Sequence, residues 1–95
     1  MLIVRETFTA KPGMASKLAK MFRAMSKEMP GLKSRVLTDC VGPYNTVVWE
    51  SEINELGDFE KMMKEYSSKP DLEKTMAGYT EMYLSGKREI YRVVD

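Results

Sequence analysis

Ninety-five residues make one domain of ordinary size, residues 1–95, and too short a chain for two. Fifteen Lys and Arg are interspersed with fourteen Asp and Glu for a net charge of +1, so no basic excess exists to hold nucleic-acid phosphates. The absence of histidine excludes Ser-His-Asp and Cys-His nucleophile systems, His-ligated haem and the usual zinc sites. No metal and no cofactor is therefore expected, and any acid–base work falls to Glu, Asp, Tyr, Lys or ordered water.

The first residues, Met1-Leu2-Ile3-Val4-Arg5-Glu6, carry no basic leader and only a short apolar run, so neither a signal peptide nor a membrane span is expected. Residues 2–10 are rich in β-branched and apolar types and predict a strand, which Lys11-Pro12-Gly13 breaks. From Met14 to Met29 the apolar positions Met14, Leu18, Met21, Phe22, Met25 and Met29 recur at helical spacing. Lys17, Lys20, Arg23 and Lys27 fall on the opposite, solvated side, and Pro30-Gly31 stops the helix. Residues 32–41 predict a second strand and 44–53 a third, joined as a hairpin at Gly42-Pro43. Cys40 is expected as a small strand residue; as the sole cysteine it makes no internal disulfide, and the chain reads as cytoplasmic.

Asn54 predicts the N-cap of the next helix, with Leu56, Phe59, Met62, Met63 and Tyr66 as its buried stripe. Pro70 opens a second helical segment in which Leu72, Met76, Tyr79 and Tyr83 recur, and Ser85-Gly86 ends it. Residues 87–95 predict the last strand. The order β-α-β-β-α-β, with right-handed crossovers, gives an α+β ferredoxin-like fold: a four-stranded antiparallel sheet with helices on one face. Nothing in the chain covers the other face, so a homodimer through that sheet face is the expected assembly.

Several stretches resemble the dimeric α/β-barrel superfamily. They are Lys11-Pro12-Gly13 ahead of an amphipathic helix, and Val47-Val48-Trp49-Glu50-Ser51-Glu52 running into Leu56-Gly57-Asp58-Phe59-Glu60. Arg5-Glu6-Thr7 with the Gly42-Pro43-Tyr44-Asn45 turn looks most like its NIPSNAP-like group, beside the antibiotic-biosynthesis-type monooxygenases. The resemblance implies two sheets packed back to back, and in each subunit a small pocket between sheet and helices. Glu6 falls where haem-degrading members place a first-strand Asn, and Trp49 is similar to the third-strand Trp of the antibiotic-type monooxygenases. The second-helix His of the haem-degrading members has no counterpart here. Many monooxygenases of the superfamily need no cofactor, which is compatible with this composition.

Strand alternation puts Leu2, Val4, Glu6 and Phe8 on one face of the first strand, and this more apolar set is assigned to the helix side. Glu6 there is either a general base in the pocket or the partner of a last-strand arginine, Arg88 or Arg92. Trp49, Phe8, Tyr66, Tyr79 and Tyr83 are candidate walls for a small organic ligand, set against the plainer reading as ordinary core residues. Glu50, on the other face, is read as structural, paired with Arg5 or with a base of a partner chain. Two function classes follow. An uncharacterised NIPSNAP-like module that binds a small organic ligand, or merely assembles, predicts a filled core and a large apolar sheet interface. A cofactor-independent monooxygenase or isomerase acting on an aromatic or polyketide-like substrate needs a cavity with Glu6 exposed into it.

Overall fold

The computed structural model describes residues 1–95. Strand β1 (Leu2–Ala10) leads into helix α1 (Ala15–Lys27), then β2 (Ser34–Thr38) and β3 (Thr46–Ile53). Helices α2 (Leu56–Ser68) and α3 (Pro70–Thr75) follow, then a 3₁₀ turn at Tyr79–Glu81 and β4 (Tyr83–Arg92). The sheet order is β2-β3-β1-β4, antiparallel throughout. Each strand–helix–strand unit steps over one strand, and the two units interleave. No helix is long and apolar enough to cross a membrane.

The predicted apolar stripe of α1 meets the sheet through Leu18, Phe22 and Met25, which join Ala10, Val47, Leu72, Met76 and Met82 in the main core. Leu2, Val4 and Ile53 form a smaller cluster at the far end, under Phe59 and Met62 of α2. The assigned parity of β1 holds: Leu2 and Val4 are buried on the helix side, as are Val47, Ser51 and Ile53 of β3.

Five local expectations are corrected. Glu55, not Asn54, caps α2: the Glu55 side chain receives the Asp58 amide, and the Asp58 carboxylate receives the amides of Asn54 and Glu55. Those backbone hydrogen bonds hold the Asp58 carboxyl below its ordinary value. The β2–β3 connection is a seven-residue loop over 39–45, closed by Asn45 at φ 63°, a left-handed value that Asn tolerates. Cys40 therefore lies exposed in that loop rather than in the sheet. Finally, the helical spacing of Leu72, Met76, Tyr79 and Tyr83 misleads. Gly78, at φ 82°, breaks the helix, and Tyr79 rides on the 3₁₀ turn. Tyr83 already belongs to β4, where it pairs with Ala10 across a bulge. Gly86, which reads as a stop signal, sits inside that strand because the ring of Phe8 lies against it.

The face away from the helices is ion-paired rather than broadly apolar. Glu50 is 7% exposed and accepts hydrogen bonds from Arg5 at 2.7 Å and Arg35 at 2.9 Å. Burial alone would raise its carboxyl; the hydrogen bonds from Arg35 and Arg5, with their charges, outweigh it and hold the group below 4.5. A carboxyl lowered on folding contributes stability above its unfolded value and loses it as pH falls through the folded one. Glu50→Gln should therefore cost about 1 kcal/mol at pH 7, modest because both arginines are partly exposed. The gap from the parent should shrink as pH falls below 4.5. Paired urea titrations across pH check this; a gap independent of pH would refute the ion-pair account.

Candidate functional site

Helix α2 packs loosely and has no fully buried residue. Its apolar stripe stands over the sheet instead of touching it throughout, which leaves a cavity of about 390 Å³ between α2, α1, the 79–81 turn and the sheet. That volume lies in the range of small-molecule sites, about 300–1,000 Å³. Its walls are mostly aromatic rings and thioethers, among them Met25, Met29, Met62, Met63 and Met76.

The sheet floor has a legible order. Strand register aligns Trp49 of β3, Glu6 of β1 and Arg88 of β4 in one cross-strand row on the helix side. Directly paired residues across antiparallel strands lie about 5 Å apart. Arg88 Nε donates to Glu6 Oε1 in this row. The Arg88 guanidinium also stacks 4.7 Å above the Phe59 ring of α2, so one side chain ties the floor to the cover. Glu6 thus borders the cavity and is ion-paired at once, which keeps both sequence alternatives in play at a single residue. Lys87 touches the cavity rim, but its ammonium lies toward Glu89, on the opposite sheet face.

All five expected wall residues, Phe8, Trp49, Tyr66, Tyr79 and Tyr83, border this cavity. Phe22 joins three of them, stacked 5.1 Å from Trp49, tilted 5.0 Å from Phe8 and edge-on 6.4 Å from Tyr79; Phe8 in turn meets Tyr83 at 4.8 Å. The core and wall readings of these aromatics therefore coincide. Burial raises the Tyr79 hydroxyl above its ordinary value, reinforced by the charges of Tyr83, Tyr66 and Glu6; burial and Glu73 raise Tyr66 likewise. Both stay protonated at neutral pH. One polar atom has no partner: Trp49 Nε1 is buried and unbonded. Sequence reasoning did not find Phe59 or Gly86 as site residues, because an arginine–ring stack and a ring laid on a glycine leave no periodic signature. No group of histidine, cysteine or carboxylate side chains is placed to hold a metal ion.

A four-stranded antiparallel sheet in this order, with its helices on one face, defines a ferredoxin-like α+β protein with a one-sided cavity. Solved structures of similar fold are NIPSNAP domain proteins and antibiotic-biosynthesis-monooxygenase-like proteins. An uncharacterised NIPSNAP domain protein from Burkholderia xenovorans superposes with a TM-score of 0.83 at 12% identity, over 99% of this chain and 95% of that one. A NIPSNAP family protein of Agrobacterium tumefaciens gives 0.84 at 14%, over 99% and 86%. A candidate antibiotic biosynthesis monooxygenase from Deinococcus radiodurans gives 0.74 at 15%, over 100% and 94%. No protein-family model and no curated protein matches the sequence. Identities this low establish the shared fold.

Proposed function

We propose that residues 1–95 form one dimeric α/β-barrel unit that binds a small, largely apolar organic ligand in the cavity between sheet and helices. The observation that carries this reading is the cavity itself: about 390 Å³ walled by aromatic rings and flexible thioethers. The space is open to solvent on one side, and its apolar walls forgo packing contacts that a bound apolar molecule would restore. Methionine walls adapt to shape, which suits a ligand more than a rigid interior. Planar aromatic compounds at saturating concentration should raise the unfolding temperature of the protein by several degrees. Glu6→Gln should keep that response if Glu6 serves only to hold Arg88. If no planar compound in a thermal-shift panel stabilises the chain, the ligand reading is wrong.

The dimer would form through the open sheet face. There Ile3, Leu37, Val48 and Tyr91 surround the Arg5–Glu50–Arg35 cluster, and no helix of this chain covers them. Under two-fold symmetry one such patch must complement itself. Sedimentation velocity should show a dimer for the parent and a monomer for Val48→Glu; a parent that stays monomeric at tens of micromolar would rule the interface out.

A second reading is favoured by the position of Glu6 beside Trp49 on the cavity floor. It is a cofactor-independent monooxygenase or isomerase acting on an aromatic or polyketide-like substrate, with Glu6 as general base. In that case Glu6→Gln abolishes turnover and leaves binding intact.

A further inference from the structure

The cavity's one carboxylate, Glu6, already accepts from Arg88 Nε. Its other polar side chains include Ser51 and the phenols of Tyr66, Tyr79 and Tyr83, which donate and accept, and two that only donate, the indole of Trp49 and the guanidinium of Arg88. Among them the Trp49 N–H stands apart, since it is buried and has no partner in the chain. Indole nitrogen is a donor only, so nothing but an acceptor can satisfy it. A buried donor left unpaired is destabilising, and a ligand that pairs it recovers that penalty as affinity.

Resting on the reading that this cavity takes an apolar ligand, we propose that the ligand carries an acceptor oxygen, a carbonyl or carboxylate on a flat apolar body, and that the Trp49 N–H recognises it. A cationic or donor-only group set against the indole would leave that N–H unpaired and gain nothing from it. Solvent does not reach Nε1, so the acceptor arrives only as wall side chains turn aside. Five methionines border the cavity, and their unbranched thioethers rotate at low cost. Binding is therefore expected to be an induced fit, with the indole donor uncovered as the ligand seats.

Trp49 is the sole tryptophan, so the ¹⁵N-labelled protein shows one indole N–H signal. Fluorene, 9-fluorenone, fluorene-9-carboxylate and 9-aminofluorene place different groups on one flat skeleton. The ketone or the carboxylate should bind about tenfold more tightly than fluorene, equivalent to one recovered hydrogen bond. It should also move the indole proton downfield, and which of the two does so identifies the acceptor. The amine, protonated at neutral pH, offers no acceptor and should leave the indole signal unmoved. Trp49→Phe keeps a ring and removes the donor, so the preference over fluorene should vanish. Should that variant not fold, the indole shift of the parent protein decides the matter. Equal binding of fluorene and both oxygenated compounds, with the indole signal unmoved, overturns this inference and leaves the ligand reading standing. Failure of all four to bind removes both.

Discussion

Phe22→Ala should be the most damaging single truncation in this chain, costing about 3–5 kcal/mol. The ring is 1% exposed and lies at the centre of the aromatic set, against Phe8, Trp49 and Tyr79. It also forms part of the cavity wall, so truncation would enlarge a space that already exists. Such a site relaxes poorly, because the sheet fixes Phe8 and Trp49 from below and only the loosely packed α2 can settle from above. Domains of this size are stable by about 5–15 kcal/mol, so the variant should lose from about a fifth to all of the parent's margin. Urea titration should show a much lower midpoint, with the near-ultraviolet circular dichroism of the aromatic set lost first. A cost under about 2 kcal/mol would mean that the cavity tolerates enlargement, and that Phe22 does not organise the site.

The parts of this fold that could be read in the sequence are those with a period. Alternation along Leu2, Val4, Glu6 and Phe8 gave the correct face of β1, because one sheet face is buried and the other is not. Helical spacing found α1 for the same reason. The failures have physical causes of two kinds. Tyr79 and Tyr83 continue the helical spacing of Leu72 and Met76, yet the chain turns at Gly78, and a tyrosine serves the core as well from a strand as from a helix. Glu6 could be placed on the cavity side but not assigned a partner, since Arg88 and Arg92 share that side and only register selects Arg88. The cavity leaves no periodic signature, and a pocket between sheet and helices is expected from the family resemblance alone. It lies under α2, none of whose residues is fully buried. The Trp49 donor is hidden in the same way: its residue type could be singled out, whereas its lack of a partner is a three-dimensional fact.

Gly86 offers the sharpest test of how the fold sets the size of the site. Its backbone is ordinary strand, so no left-handed conformation demands glycine there. The constraint is space: a Cβ at this position would stand 2.9 Å from two ring atoms of Phe8. Phe8 cannot simply swing away, because Phe22 and Tyr83 hold its ring on two sides. Gly86→Val should therefore push the ring toward the cavity, at a cost of about 1–3 kcal/mol from overpacking. Both residues border the cavity, so the displaced ring would narrow it and ligand affinity should fall along with stability. Phe8→Ala in the same chain removes the obstacle. The double variant should then be more stable than the sum of the two single costs allows, by about 1 kcal/mol or more, because the residues are in contact. Thermal unfolding of the four proteins closes the cycle, and ligand titration of the same four reads the cavity. Strict additivity in stability would mean that the ring of Phe8 does not fill the space over Gly86, and the account of how β4 shapes this site would have to be abandoned.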